Sequence, residues 1–238
     1  MNQRIKLILL LFVFGSVSKI LCQNSSSPKS LWEQELETRD TTRPINFGHK
    51  WVWAAVKTQN TDSLLEILKL ERLRQANWVE GTLQAYYGEV FILPPIEGWI
   101  LISGWGLPKP SGKEGIEKSK SLLDKLSKQF GEAQLYGNHG LSSSAFWMKS
   151  VDGKTVRLYC IADGENFIEG EPTDVEKKWS LIDTNSEEAV KEEYWDRMVY
   201  PDVEHVLEVA KNWSINPMEL EEKANIGAFG HLGQIRRK

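Results

Sequence analysis

The stretch QLYGNHGLSSSAFWMKSVDGKTVRLYCIADGENFIEGEPT, residues 134–173, carries the strongest fold signal in the chain. Two Asp-Gly pairs, Asp152-Gly153 and Asp163-Gly164, each lie between runs rich in aromatic and β-branched residues. That pattern is typical of β-hairpins with two-residue turns. The stretch therefore predicts three antiparallel strands joined as a meander.

A two-residue turn at Asp152-Gly153 also predicts a register, with Val151 opposite Lys154 and Phe146 opposite Tyr159. Alternation then predicts one face made of Ala145, Trp147, Val156, Leu158, Cys160 and Phe167. The other face is predicted to hold Phe146, Met148, Arg157, Tyr159, Ile161 and Ile168. We expect the first face to be core and the second to be either another buried layer or the wall of a pocket.

Residues 1–22 have the form of a secretory signal peptide. Arg4 and Lys6 precede an apolar run at 7–14, which is far shorter than the ~20 residues that a membrane-spanning helix needs. Cys22 stands where a bacterial lipoprotein would carry its lipid, although Leu21 replaces the small residue usual before it. Cleavage and lipidation at Cys22 both remain open. We expect an exported protein of the periplasm, cell envelope or medium that touches a membrane only through such an anchor.

Charge and cysteine content restrict the function further. The chain has 29 basic and 33 acidic residues, and loss of residues 1–22 removes three basic ones, which leaves 26 against 33 and a net charge of −7. An acidic chain argues against a nucleic-acid partner. Beyond the signal region Cys160 is the one remaining cysteine, so we expect stability to come from a hydrophobic core and not from a disulfide.

The domain organisation follows from composition. The Ser- and Asn-rich start and the charged segment after it predict a polar linker at 23–44. Residues 45–222 are predicted to form a single α+β domain, in which the antiparallel meander packs against helices. The Gly-rich segment 223–238 ends in Arg236-Arg237-Lys238 and is predicted to be a flexible basic tail.

Local signals place the helices of this domain. Capping patterns predict helices that begin near Thr61, Asn77, Asp202 and Asn216. The longest apolar stripe at helical spacing ends before Gly131, and we expect this helix to lie across the core face of the sheet. Apolar runs predict two further strands, at 90–93 and 99–103.

Three short motifs resemble, in the same order, a family of uncharacterised bacterial proteins. They are Pro-Pro-x-x-Gly-Trp at 94–99, Leu-Ser-x-x-Phe-Gly-x-x-Gln at 126–134 and Gly-Glu-Pro-Thr at 170–173. The resemblance covers about residues 78–173 and 203–220. It implies one continuous fold and brings no catalytic residues with it. The exported start of this chain departs from that family.

An enzymatic function is one of two hypotheses that the sequence supports. His139 lies beside the meander, and the carboxylates of Glu165, Glu169 and Glu171 are close to it in sequence. A histidine with carboxylates is the minimum for acid-base hydrolysis, so these residues could form the active site of a small hydrolase. A histidine beside glycines is nevertheless more often a turn residue, and acidic residues at strand ends are usually solvated.

Other catalytic and cofactor signals are missing from the sequence. The four histidines, at 49, 139, 205 and 231, show no metal-binding spacing, and there is no phosphate loop, dinucleotide fingerprint or nucleophile elbow. We therefore expect no metal site and no cofactor. Cys160 falls within a strand and is predicted to be inert core.

The second hypothesis is a non-enzymatic binding or interaction protein whose partner is a protein or a polar ligand. Arg157 and Tyr159 could line a shallow recess near His139 that binds an anionic or polar group. The alternative is that Arg157 simply pairs with a carboxylate elsewhere, because a charge within a strand is tolerated only when it is paired or reaches water. A tryptophan surface is a further possibility, with these candidates: Trp32, Trp51, Trp53 and Trp105.

Overall fold

The structure is a computed structural model that describes residues 28–139 and 144–236. The chain divides into two compact units, and the second, Leu36–Lys238, contains the sheet. The predicted signal peptide at 1–22, with Cys22, lies outside the described residues. Among those residues the α helices are α1 Leu31–Glu37, α2 Thr61–Leu68, α3 Trp78–Tyr86, α4 Gly112–Phe130, α5 Glu192–Arg197 and α6 Val203–Trp213. Three 3₁₀ helices span Glu176–Lys178, Glu187–Val190 and Pro217–Glu222.

Nine strands of the described chain form one antiparallel sheet. They are β1 Val52–Val56, β2 Glu71–Asn77, β3 Val90–Ile92, β4 Ile100–Ser103, β5 Glu132–His139, β6 Ser144–Val151, β7 Lys154–Ala162, β8 Glu165–Glu169 and β9 Phe229–Gln234. Their order in space is β2-β9-β3-β4-β1-β5-β6-β7-β8, so β2 and β8 are the edges. The predicted α+β class, with an antiparallel meander packed against helices, is confirmed.

Each face of the sheet is packed against other elements. Successive residues of a strand point to opposite faces, and apolar residues occupy both sets of positions. Face A includes Trp53, Phe91, Leu101, Tyr136, Trp147 and Tyr159, which pack with α3 and α6. Face B includes Ala54, Ile100, Ile102, Leu135, Met148 and Leu158, which pack with α2 and α4. The sheet is therefore the middle layer of the domain, and its side chains belong to two separate cores.

The helices begin and end largely where the local signals predict. Asn77 accepts a hydrogen bond from the amide of Glu80 at the start of α3, and Asp202 caps α6 in the same way. The helix α4 ends at Gly131 with φ of 84°, which favours glycine. For α2 the capping residue is Asn60 and not Thr61, since the Asn60 side chain accepts from the amide of Ser63.

The predicted register of the β6–β7 hairpin is wrong beyond its first two pairs. Val151 does lie opposite Lys154, but a β-bulge follows, in which Val156 is an extra residue without a partner on β6. Tyr159 therefore lies opposite Trp147 and not opposite Phe146. One inserted residue exchanges the faces of everything after it. Arg157, Tyr159 and Ile161 consequently join Trp147 on face A, while Leu158 and Cys160 join Phe146 on face B.

The predicted flexible tail at 223–238 is also wrong, because it contains β9. This strand lies inside the sheet between β2 and β3, and its Leu232 is fully buried. A Cβ added to Gly230 would lie 2.3 Å from the carbonyl oxygen of Ile92, so this glycine allows the close approach of two strands. The predicted linker at 23–44 is likewise partly structured, since α1 forms there and Leu36 is buried.

Candidate functional site

Arg157 is buried on face A, where its charge is paired inside the protein. Its Nε and Nη2 donate to Oε1 of Glu176 at 2.8 and 2.6 Å, and its Nη1 donates to the carbonyl oxygen of Gly170 at 2.7 Å. The residues Arg157 and Glu176 are only 3% and 1% exposed. The geometry is that of a plain ion pair, so Arg157 does not line a recess open to a ligand.

Glu176 accepts hydrogen bonds from Trp147 and Thr173 as well as from Arg157. Besides Arg157, the indole Nε1 of Trp147 donates to Oε1 at 2.7 Å, and the amide and hydroxyl of Thr173 donate to Oε2 at 2.8 and 2.7 Å. Burial raises the pKa of the Glu176 carboxyl, but the hydrogen bonds from Arg157 and Thr173 outweigh burial and leave that pKa below its ordinary value. The carboxylate is therefore ionised at neutral pH, and its hydrogen bonds fix the surrounding chain.

The Gly-Glu-Pro-Thr motif at 170–173 has a structural explanation in this network. Gly170 has φ of 72°, and a Cβ there would lie 2.0 Å from the carbonyl oxygen of Val156. No other residue fits this contact without a backbone shift. Thr173 binds Glu176 as described, so the motif holds the segment after β8 against the sheet.

Tyr159 is buried next to this network and has a packing role. Its ring stacks on that of Trp147 with centroids 4.7 Å apart, and its hydroxyl donates to the carbonyl oxygen of Ile182 at 2.8 Å. Burial raises the pKa of the hydroxyl above its ordinary value, so the group stays neutral at physiological pH. Tyr159 thus fastens residue 182 to the sheet in the same way as Arg157 fastens residue 170.

His139 lies apart from Arg157 and Tyr159, at the opposite end of β5 from the position that neighbours Arg157. Its ring contacts Trp105 edge-to-face with centroids 5.7 Å apart, and Trp105 packs against the core of face B. Arg157 and Tyr159 belong to face A. The predicted recess that would join His139, Arg157 and Tyr159 is therefore not formed. The bulge at Val156 places Arg157 and Tyr159 on face A, inside the core and away from His139.

The structure also separates His139 from the carboxylates of the hydrolase hypothesis. Glu165 pairs with the end of β7, so it is three strands from His139, or about 14 Å at normal strand spacing. Glu169 lies toward the other end of β8, where it pairs with Lys120, and Glu171 is exposed beyond that strand. General acid-base catalysis needs these groups within hydrogen-bond reach of one substrate atom, and this arrangement does not provide it.

Two further sequence predictions concern nucleophiles and metals. Cys160 is buried in face B, its thiol donates to the carbonyl oxygen of Pro110, and burial raises the pKa of that thiol to about 12. The prediction that Cys160 belongs to the core is confirmed, and a thiol with a raised pKa is rarely the reactive thiolate at neutral pH. Within residues 28–139 and 144–236, no group of three or more His, Cys, Asp or Glu side chains could hold a metal ion.

The surface feature that stands out is the loop of residues 183–198, which we call the acidic loop. A parallel bridge between Leu181 and Val199 joins its two ends, as in the Ω-loops that often carry function. The loop holds six acidic and two basic residues, a net charge of −4. Of the net charge of −7 expected for residues 23–238, this loop therefore carries −4.

A buried tyrosine and several hydrogen bonds hold the acidic loop. Tyr194 is buried beneath it, and its hydroxyl donates to the carbonyl oxygen of Asp183 at 2.8 Å and accepts from the amide of Asp183 at 2.7 Å. The indole Nε1 of Trp195 donates to the carbonyl oxygen of Ala189 at 2.9 Å. The base of the loop contacts the edge strand β8, where Asn185 donates to the carbonyl oxygen of Asn166.

Two apolar side chains project from this charged surface. Val190 is 88% exposed and Trp195 is 49% exposed. Large exposed apolar residues grouped with polar ones are typical of protein interaction sites. By contrast, Trp51 and Trp53, two sequence candidates for a contact surface, are buried in face A.

Sequence reasoning missed the acidic loop as a site. The available signal was the isolated Trp195 within an acidic run, but the same pattern fits a solvated helix whose tryptophan packs inward. The structure shows instead that Tyr194 is the inward residue and Trp195 the outward one.

Comparisons with models of known protein families, with curated proteins and with solved structures find no match to this chain. The resemblance to a bacterial family therefore stays a prediction. No helix among the described residues has both the length and the apolar character needed to cross a bilayer.

Proposed function

We propose that this chain is an exported, non-enzymatic binding protein that contacts a partner protein through the acidic loop. The observation that carries the proposal is the exposure of Trp195 and Val190 on a fixed loop that has a net charge of −4. Tryptophan is among the residues most enriched in binding hot spots.

The rigidity of the loop supports the same proposal. A mobile loop loses conformational entropy when it binds, whereas a loop already held by buried contacts loses little. The two hydrogen bonds between Tyr194 and Asp183 and the Leu181–Val199 bridge hold the acidic loop before any partner arrives. The sheet beneath it acts as a rigid support.

Export is the part of the proposal that rests on the sequence. The signal-peptide pattern at 1–22 favours a partner outside the cytoplasm, and Cys22 is the candidate residue for a lipid anchor. The absence of a disulfide among the described residues fits a domain stabilised by two large apolar cores.

A capture experiment with matched variants tests the proposal. The tagged protein is incubated with the envelope fraction of the cells that make it, and captured proteins are compared between wild type and a Val190→Ser, Trp195→Ala variant. The control is Leu73→Ser with Phe229→Ala, which changes exposed apolar residues on strands at the opposite edge of the sheet. We expect a protein that the loop variant fails to capture and the control retains. Equal capture by both variants would contradict the proposal.

A further inference from the structure

The charges of the acidic loop indicate what kind of partner surface it fits. We infer that the partner presents a basic, arginine-bearing protein surface, an inference that rests on the proposed function and adds the chemistry of the partner to it.

Most carboxylates of the loop have no counter-charge among residues 28–139 and 144–236. Both basic residues of the loop, Lys191 and Arg197, lie within 4.0 Å of one carboxylate, that of Glu188. Four other exposed carboxylates make no ion pair in the described part of the chain: Glu187, Glu192, Glu193 and Asp196. Like charges held together on a rigid surface repel one another, and a cationic partner relieves that repulsion.

The spacing of these carboxylates suits a protein surface better than a metal ion. No set of three acidic side chains among the described residues converges closely enough to hold a metal. Glu192 and Asp196 are four residues apart on α5, which puts their Cβ atoms about 5–6 Å apart on one side of the helix. Each can therefore meet a different cationic side chain of a partner. Anionic lipid and nucleic acid are repelled by the same charges.

The position of Trp195 favours arginine over lysine in that partner. The indole N–H is already bonded to Ala189, so what the half-exposed side chain offers a partner is its aromatic ring. A guanidinium group can stack on an aromatic ring and pair with a carboxylate through two parallel hydrogen bonds. Trp195 lies between Glu192, Glu193 and Asp196 in the same short helix, so both kinds of contact are available at one place.

A peptide-binding experiment tests this inference without knowledge of the partner. The probes are three 12-residue peptides of equal length, in which alternate positions are arginine, lysine or glutamine. The loop variant replaces four residues: Glu187→Gln, Glu192→Gln, Glu193→Gln and Asp196→Asn. The control variant removes the same amount of charge from exposed sites elsewhere: Glu66→Gln, Glu117→Gln, Glu171→Gln and Glu222→Gln.

We expect the arginine peptide to bind wild type best and the loop variant roughly tenfold more weakly, with the control variant within about twofold of wild type. Trp195→Ala should weaken binding of the arginine peptide more than binding of the lysine peptide. The inference would be overturned if both charge variants lost the same affinity for the arginine peptide. It would also be overturned if wild type bound the glutamine peptide as well as the arginine peptide. A loop-dependent partner from the capture experiment whose affinity is unaffected by salt would overturn it too, while leaving the proposed function intact.

Discussion

Arg157 and Glu176 lie 19 residues apart in the chain and meet inside the protein, with 2.6 Å between Nη2 and Oε1. Together with the hydrogen bond from Tyr159 to Ile182, this pair holds the segment that leads from β8 to the acidic loop. The charged and aromatic side chains that sequence reasoning assigned to ligand binding thus support the surface that we propose binds a partner.

Loss of either member of the Arg157–Glu176 pair should be strongly destabilising. Arg157→Met leaves the Glu176 carboxylate buried without its cation, and we expect a loss of about 3–5 kcal/mol in the free energy of unfolding. The measurement is urea unfolding. The control is Arg236→Met, since Arg236 forms an exposed pair with Glu71 that should contribute less than about 1 kcal/mol. Similar unfolding midpoints for the two variants would show that the buried pair is not a stabilising contact.

The stability of the protein at acid pH should depend on the carboxylate of Glu176. The pKa of Glu176 is lowered in the folded protein from the ordinary value of 4.5, so the unfolded chain binds this proton more readily. The stability that Glu176 contributes is therefore complete above the unfolded pKa and is lost as the pH falls from there through the folded pKa. We expect the free energy of unfolding to fall less steeply between about pH 5 and 3 in Glu176→Gln than in wild type. Parallel pH profiles would refute the assignment.

Two glycines of similar backbone conformation should differ in their tolerance of alanine. Gly164 and Gly170 have φ of 81° and 72°, but a Cβ at Gly164 meets nothing within 4 Å, whereas at Gly170 it meets the carbonyl oxygen of Val156. Gly164→Ala should cost about 1 kcal/mol for its backbone conformation. Gly170→Ala adds a backbone clash and should cost about 3 kcal/mol, measured by thermal unfolding. Equal costs would mean that the contact with Val156 relaxes freely.

The packing of α4 on face B gives a further prediction. Leu123 is fully buried there, and Leu123→Ala should cost about 2–5 kcal/mol because the helix and sheet cannot close over the space left. Its neighbour Leu122 is only partly buried, so Leu122→Ala should cost clearly less. Denaturant midpoints of the two variants provide the comparison, and reversed magnitudes would contradict the observed orientation of the helix.

Features set by nearby residues could be predicted from the sequence. The cap of α3 joins Asn77 to Glu80, three residues on, and the Asp152-Gly153 turn joins adjacent strands. In each case the residues that make the contact are also the residues that carry the signal. Helices, hairpins and the α+β class were accessible for this reason.

Features set by distant residues could not be predicted in the same way. Nothing near Val156 marks a bulge, yet one extra residue there decides which face Arg157 occupies. The glycines of β9 are typical of a flexible tail. The reason for Gly230 is its close approach to the backbone of Ile92, a residue distant in the sequence. For the acidic loop, the burial of Tyr194 and exposure of Trp195 depend on the tertiary structure beneath them, so composition could show its charge but not its outward residue.

The stiffness of the acidic loop rests largely on Tyr194. Its hydroxyl makes two hydrogen bonds to the backbone of Asp183, and Tyr194→Phe would remove both while keeping the buried ring. Two such bonds contribute about 1 kcal/mol each, so the loop should open roughly thirty times more often in the variant.

Limited digestion with trypsin can measure that opening, because Lys191 and Arg197 provide cleavage sites within the loop. In Tyr194→Phe we expect cleavage at both sites to become roughly thirtyfold faster, since cleavage follows the population of the open form. Cleavage at Lys118 in α4 is the internal control, because local opening of that helix does not involve Tyr194. If cleavage in the loop is equally fast in wild type and variant, Tyr194 does not hold the loop, and the acidic loop is not a pre-formed binding surface.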